Sequence, residues 1–158
     1  WSDYITQIVE DQERNELIAA LGKKTSQKMP TLILTDRVEH AQILHEMTGG
    51  TLLHGQMKKS DREEAMIAAN SSALTIGTSG LLGEGVDVSG WQVLILATPL
   101  SSRGRLLQAI GRVIRSKEGK KCGFIADLVD NHPLSKSSFR KRNSVYQERN
   151  YAVSNGTV

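Results

Sequence analysis

Five short apolar runs, separated by longer polar stretches, constrain the fold of this chain more than any other feature. The runs are apolar at consecutive positions, which is typical of strands covered on both faces. Because they alternate with helix-length segments, the pattern favours a parallel sheet with right-handed crossovers. We therefore predict an α/β domain of three layers, with a central, mostly parallel sheet and helices on both faces. The predicted strands span residues 31–35, 50–53, 73–77, 92–97 and 123–128.

Segments on either side of this alternation predict two further parts. Residues 3–21 have the apolar periodicity of a helix that Gly22 can end, and a polar linker then leads to Pro30. Beyond Pro133 the chain is basic and polar, so we predict a terminal helix outside the sheet, with a loose end from residue 154. The predicted parts are an N-terminal helix and linker (1–29), the α/β domain (30–132) and a basic C-terminal helix and tail (133–158). The basic residues of the last part include Lys136, Arg140, Lys141 and Arg142.

Composition narrows the classes of protein that fit. The chain carries 20 Lys and Arg against 17 Asp and Glu, a net charge of +3, which permits nucleic-acid binding without proving it. Its single cysteine, Cys122, excludes an intrachain disulfide and a four-cysteine zinc site, and fits a reducing compartment. The longest apolar run, residues 93–97, is too short to cross a bilayer. We expect a cytoplasmic location in a bacterial or phage-infected cell, no membrane partner and no metal site in the chain itself.

The segment 103–115 predicts a helix with two contrasting faces. Gly111 lets a ligand or another backbone approach closely beside Arg112. A solvated basic face and a phosphate site both fit this helix. No glutamate is interleaved to form i,i+4 pairs, and arginine suits multi-oxygen anions such as phosphates. At about 100° per residue the polar sector holds Arg105, Gln108, Arg112 and Arg115, opposite Leu106, Leu107, Ile110, Val113 and Ile114.

Polar residues follow three of the predicted strands, at the edge where parallel sheets bind ligands. The glycine-rich stretch 78–87 follows residues 73–77, and its backbone N–H groups could hold a phosphate oxygen while Asp87 accepts from a ribose hydroxyl. A tight structural turn with Asp87 as a cap is the alternative. Asp36, three residues before Glu39, has capping-box spacing at the start of the next helix. The other residues at this edge are Thr35, Arg37, His54 and Gly55.

Taken in order, these segments resemble the second RecA-like motor domain of superfamily 2 nucleic-acid helicases, over roughly residues 31–130. Residues 31–37 (Thr-Leu-Ile-Leu-Thr-Asp-Arg) are similar to motif IV, 53–55 (Leu-His-Gly) to the turn after the second strand, and 78–87 (Thr-Ser-Gly-Leu-Leu-Gly-Glu-Gly-Val-Asp) to motif V. Residues 108–115 (Gln-Ala-Ile-Gly-Arg-Val-Ile-Arg) are similar to motif VI. DEAD-box RNA helicases usually begin motif VI with His-Arg, whereas this chain has Gln108-Ala109, which favours the DNA-acting branches. Residues 125–131 (Ile-Ala-Asp-Leu-Val-Asp-Asn), followed by a basic tail with tyrosines, resemble phage and bacterial DNA helicases of the recombination and repair type.

The resemblance implies a role for each matching residue. Arg115 matches the arginine finger that reaches the ATP γ-phosphate, and Arg112 matches its companion. Gln108 matches the first motif VI position, which couples nucleotide state to the domain interface. Gly85 and Asp87 match motif V positions near the ATP ribose. The implied nucleic-acid contacts are Thr35, Arg37, His54, Gly55, Thr78 and Ser79.

The chain has no Gly-x-x-x-x-Gly-Lys-Ser/Thr loop and no Asp-Glu box, the elements that hold the triphosphate and Mg²⁺. The resemblance therefore implies that ATP with Mg²⁺ is bound mainly by the first RecA-like domain of the same polypeptide, and that this chain alone hydrolyses no ATP. DNA is favoured over RNA as partner. A non-catalytic scaffold derived from a helicase domain and an RNA helicase domain are the alternatives. We expect Arg112 and Arg115 at the sheet edge where Thr78 and Asp87 emerge.

Overall fold

The fold is a parallel sheet between two helix layers. The computed structural model describes residues 1–83, 86, 88, 90–114 and 122–157. Its five strands pair in the order β2-β3-β1-β4-β5, and every pairing is parallel. The α/β prediction is confirmed, and each predicted strand bound lies within one residue of the observed one. The strands are β1 (Thr31–Thr35), β2 (Thr51–Leu53), β3 (Leu74–Thr78), β4 (Val93–Leu96) and β5 (Phe124–Asp127).

Helices cover both faces of the sheet because successive strand residues point to opposite sides. Ile33 and Ile76 pack with Leu44 in a core cluster on one face of the sheet. Leu32 packs with Leu106 in a second cluster on the opposite face. No helix among the described residues is long and apolar enough to span a membrane. A short 3₁₀ turn (Ser79–Gly83) follows β3. The helices are α1 (Ser2–Glu10), α2 (Gln12–Ser26), α3 (Val38–Thr48), α4 (Lys59–Ser71), α5 (Arg103–Ile114) and α6 (Pro133–Glu148).

The N-terminal segment forms two helices where we predicted one. The chain breaks at Asp11, whose backbone is extended and whose side chain accepts a hydrogen bond from the Arg14 N–H at 3.0 Å. This contact caps α2. Gly22 does not end the helix. It lies buried within α2, where a Cβ atom would come within 2.6 Å of Cδ1 of Ile33. The glycine therefore allows α2 to pack closely on β1.

The basic C-terminal segment divides into a buried residue and an exposed face. Arg142 is only 1% exposed and donates to both carboxylate oxygens of Asp127, at 2.8 Å each. Tyr146 donates to the same carboxylate at 2.8 Å, and burial followed by the nearby charge of Asp127 raises the pKa of that tyrosine. Ser138 accepts a further bond from Arg142 at 2.7 Å. Arg142 is thus an anchor that fixes α6 to the end of β5, and not part of a basic surface.

Candidate nucleotide and nucleic-acid sites

Three turns at the carboxyl edge of the sheet are joined by side-chain hydrogen bonds. The hydroxyl of Ser79, after β3, donates to Oδ1 of Asp36, after β1. The backbone N–H of Asp36 donates to Oγ1 of Thr98, after β4, at 2.8 Å. Asp36 does not cap α3: that helix begins after Arg37, with no side-chain cap bond. The sequence pattern missed Thr98, although its place directly after a buried strand is the signal that could have identified it. We call this edge, with the turns after β1, β2, β3 and β4, the rim.

Thr35 was predicted to contact nucleic acid, and the structure gives its side chain another partner. The side chain is fully buried, with its hydroxyl 2.9 Å from Nδ1 of His40. Nε2 of His40 lies 2.8 Å from Oδ1 of Asn15, which is also buried. Burial, and next the positive charge of Arg14, lower the pKa of His40 to about 4. The Thr35 side chain therefore belongs to a neutral, buried network between β1, α2 and α3, and it cannot touch a phosphodiester directly in this structure.

The remaining predicted contacts differ in how much of each reaches solvent. His54 is 8% exposed, and its Nδ1 has no hydrogen-bond partner among the described residues. Burial lowers the pKa of His54, so its imidazole is neutral near pH 7. Thr78 and Ser79 are also buried. Gly55 is exposed and Arg37 half-buried, with Nη2 of Arg37 donating to Oγ of Ser2 at 3.3 Å. Arg37 is thus the accessible cation among the predicted rim contacts.

Helix α5 has the two faces that the sequence predicts. Its inward residues Leu106, Ile110 and Val113 are buried, whereas Gln108 is exposed and Arg112 half-buried. A Cβ atom on Gly111 would meet nothing within 4 Å, so open space lies beside Arg112. Within the described part of the chain, no carboxylate forms an ion pair with Arg105 or Arg112. The uncompensated guanidinium group of Arg112, beside an open glycine, fits an anion such as a triphosphate.

The direction of α5 corrects the prediction that Arg112 lies at the same edge of the sheet as Thr78. The carbonyl oxygen of Val113 lies 3.0 Å from the position a Cβ atom would take on Gly123, directly before the start of β5. A crossover helix runs antiparallel to its strands, and the 12 residues of α5 span about 18 Å. Arg112 therefore lies at the amino end of the strands, and Thr78 lies at their carboxyl end.

Gly85, Asp87 and Arg115 lie outside the described residues. Val86 and Val88, which adjoin Gly85 and Asp87 in sequence, are both buried and belong to the core cluster that contains Leu106 of α5. Backbone next to the predicted ribose-binding positions is thus held in the same layer as α5.

The family follows from the sequence that forms these elements. Residues 12–117 match the family described as the helicase conserved C-terminal domain. The chain belongs to the helicase C-terminal domain family. The matched segment includes α2, which we had assigned to a separate N-terminal part, and reaches past motif VI.

Three viral relatives share most of this helicase domain. It is 31% identical over 143 residues to "Putative helicase 22" of Sulfolobus islandicus filamentous virus, covering 86% of this chain. It is 25% identical over 158 residues to "Putative ATP-dependent RNA helicase L396" of Acanthamoeba polyphaga mimivirus, covering 96%. It is also 25% identical over 152 residues to "ATP-dependent DNA helicase uvsW" of Enterobacteria phage T4, covering 91%. The chain spans 25%, 30% and 30% of the length of these relatives.

The fold of the helicase domain agrees with these sequence matches. The crystal structure of T4 UvsW superposes with a TM-score of 0.72 at 20% identity, over 96% of this chain and 36% of that one. The resemblance to superfamily 2 helicases, and to phage recombination and repair helicases among them, is confirmed.

Proposed function

We propose that this chain is the second motor domain of an ATP-dependent DNA helicase or translocase, and that it supplies Arg112 and Arg115 to ATP bound mainly by a first RecA-like domain. The observation that carries the proposal is the polar face of α5. There Arg112 stands beside Gly111 with open space and no carboxylate partner in the described part of the chain. Mg²⁺ would come with the triphosphate and be held by the first domain.

The proposed chemistry is charge stabilisation. Negative charge develops on the γ-phosphoryl oxygens during transfer, and an arginine delivered from a second domain is worth about 10³–10⁵ in rate. Gln108, exposed one turn before Arg112, would sense the same ligand. Hydrolysis removes the anion that these groups hold, so the two domains can separate after each turnover.

Nucleic acid would bind at the other end of the strands, on the rim. Arg37 would supply a charge that positions a phosphodiester chain without reading its sequence. His54, being neutral, can offer hydrogen bonds but no charge there. The sheet connects the rim to the motif VI end of α5. Domain closure around the nucleotide would therefore also move the rim against the nucleic acid.

DNA is the proposed partner because motif VI begins with Gln108-Ala109. The printed names of the relatives include both a DNA and an RNA helicase, so RNA is the alternative that the test must separate. A full-length protein containing this chain should hydrolyse ATP faster with DNA oligonucleotides than with RNA oligonucleotides of the same sequence. If RNA stimulated ATP hydrolysis more strongly than DNA, the domain would belong to an RNA helicase instead.

The motor assignment itself is tested with Arg112→Lys in the same full-length protein. Lysine keeps the charge but loses the planar fork that grips phosphate oxygens. We expect ATP hydrolysis to fall at least tenfold with nucleotide affinity retained, and the isolated chain to release no phosphate. Unchanged turnover in the variant, or steady phosphate release by the isolated chain, would contradict the proposal. Tight binding of a protein partner by a full-length protein without ATPase activity would indicate a scaffold.

A further inference from the structure

The outer face of α6 carries a cluster of cations that no helicase motif includes. We propose that this face, defined by Lys136, Arg140 and Lys141 and called the α6 strip, is a second binding surface for the nucleic-acid backbone. The inference rests on the proposed function, because it assumes that the domain works on a nucleic acid. It adds a contact that lies outside the rim.

The strip is a single exposed face of a regular helix. Lys136 and Arg140 are four residues apart and Lys141 is adjacent, and all three are exposed. Lys136 and Arg140, at this spacing of four, have Cβ atoms about 5–6 Å apart. The hydroxyl of Ser137 is exposed next to Lys136 and adds a hydrogen-bonding group to the strip. The opposite face holds the buried residues Ser135, Ser138, Arg142, Val145 and Tyr146.

The charges of the strip are not neutralised within the described part of the chain. Glu148 is the one acidic residue of α6, and it is taken by Arg103, whose Nη2 donates to Oε2 at 2.6 Å. Lys136 donates to the amide oxygen of Asn131 at 2.6 Å, which leaves its charge intact. No described carboxylate forms an ion pair with Arg140 or Lys141. A solvated face that served only solubility would more commonly mix both signs.

The helix is held rigidly from beneath. Arg142 and Tyr146 both bond to Asp127 at the end of β5, and the backbone N–H of Asp130 donates to Oγ of Ser135 at 2.9 Å. Because these anchors fix the helix before any ligand arrives, binding to the strip orders side chains only, which lowers the entropic cost of association.

The strip also lies next to the rim. Ser2 of α1 accepts a hydrogen bond from Arg37, and two residues later Tyr4 donates to Asp130 at 2.7 Å. The Tyr4 ring stacks on His132, the residue that caps α6, at 4.6 Å between centroids. Less than one turn of α1 therefore separates Arg37 from the start of α6. A phosphodiester chain bound at Arg37 could therefore continue along the start of α6 onto the strip.

Lysine, arginine and serine on one face are the residues that contact phosphates without reading sequence, so the fitting partner is a nucleic-acid backbone. The test uses the 158-residue chain, a fluorescein-labelled single-stranded DNA oligonucleotide, and fluorescence anisotropy at several NaCl concentrations. The strip variant carries Lys136→Gln, Arg140→Gln and Lys141→Gln. The control carries Lys23→Gln, Lys24→Gln and Lys28→Gln, three exposed residues at the amino end of the sheet that change the net charge equally.

We expect the strip variant to bind at least about fivefold more weakly at low salt, and its plot of log affinity against log salt to be less steep by about 2, since each single-strand phosphate contact contributes about 0.7. The control should bind within about twofold of the parent chain. Equal losses in both variants, or no loss in the strip variant, would overturn the inference. Binding of an acidic protein but not of DNA would overturn it as well. Circular dichroism spectra and melting temperatures confirm that each variant is folded. A double variant, Lys136→Gln with Lys141→Gln, keeps Arg140 and repeats the test with a smaller change in charge.

Failure of this inference is distinguishable from failure of the proposed function. If Arg112→Lys stops hydrolysis while the strip variant binds like the parent, the motor role stands and the strip is excluded. If the strip variant loses DNA affinity while Arg112→Lys hydrolyses ATP normally, the strip stands and the motor role fails.

Discussion

The hydroxyl of Ser79 donates a hydrogen bond to the Asp36 carboxylate, which links the turn after β3 to the turn after β1. The Asp36 backbone N–H in turn donates to Thr98, after β4. Two segments that the sequence presents as separate motifs are therefore one structural unit. This unit fixes the backbone at Arg37, the accessible cation among the predicted rim contacts.

Replacing Asp36 by alanine should destabilise the domain. The Ser79 hydroxyl is buried and would lose its acceptor, which costs about 1–3 kcal/mol of unfolding free energy. Urea unfolding of the isolated chain measures the change. Glu39→Ala is the control, because Glu39 is exposed and α3 shows no side-chain cap bond, so its effect should stay within about 0.5 kcal/mol. A larger loss in the control than in Asp36→Ala would restore the capping-box interpretation.

The same substitution should cost much more stability at Arg142 than at Arg140, although both residues lie on α6. Arg142→Met leaves the buried Asp127 carboxylate without its ion pair, which we expect to cost about 3–5 kcal/mol. Arg140→Met changes an exposed residue, and its cost should be below about 0.5 kcal/mol. Denaturant unfolding of both variants at the same salt concentration makes the comparison. Similar losses would show that the Arg142–Asp127 contact does not anchor α6.

Acidification should weaken the fold through His40. Burial lowers the pKa of His40 from 6.5 to about 4, so the unfolded chain binds the proton first as the pH falls. The contribution of neutral His40 to the free energy of unfolding is thus fully present above pH 6.5. It is lost as the pH drops toward 4, and its size is roughly 3 kcal/mol. Unfolding free energies measured across this range should fall less steeply for His40→Gln, which cannot titrate. Parallel curves for the two proteins would exclude His40 as the source.

Gly111→Ala should separate stability from activity. Alanine is favoured over glycine inside a helix by about 0.5–1 kcal/mol, and its Cβ atom would meet nothing within 4 Å. The isolated chain should therefore become more stable by that amount in urea unfolding. In a full-length protein the same methyl group would intrude where we place the triphosphate, and hydrolysis should fall by about tenfold or more. Gain of stability with unchanged hydrolysis would show that no ligand approaches Gly111.

The sequence predicts the strands well because they are apolar at consecutive positions, a pattern that burial between two helix layers requires. The split of α5 into two faces follows from its periodicity in the same way. What the sequence could not show depends on tertiary contacts. In the sequence Arg142 cannot be distinguished from its exposed basic neighbours, because its bond to Asp127 is a tertiary contact. Gly22 fits a helix end in the same way, because its close packing on Ile33 is visible only in the fold.

The placement of α5 was wrong for a topological reason. The sequence pattern places Arg112 at the edge where Thr78 emerges, but a crossover helix that starts at that edge returns to the opposite end of the sheet. Val113 beside Gly123 shows that return. Arg112 and Thr78 are accordingly separated by about the length of the strands.

Hydrolysis and nucleotide binding by Arg115→Ala, in a full-length protein containing this chain, test the central claim most directly. Arg105→Ala is the matched control, since Arg105 is exposed on the same helix, about two turns from Arg112, and lies outside the motif VI segment 108–115. We expect Arg115→Ala to lose about 10³-fold or more of its nucleic-acid-stimulated hydrolysis, with ATP affinity nearly unchanged, and Arg105→Ala to keep most of its turnover. Normal hydrolysis by Arg115→Ala would contradict the claim that this domain completes the ATPase site.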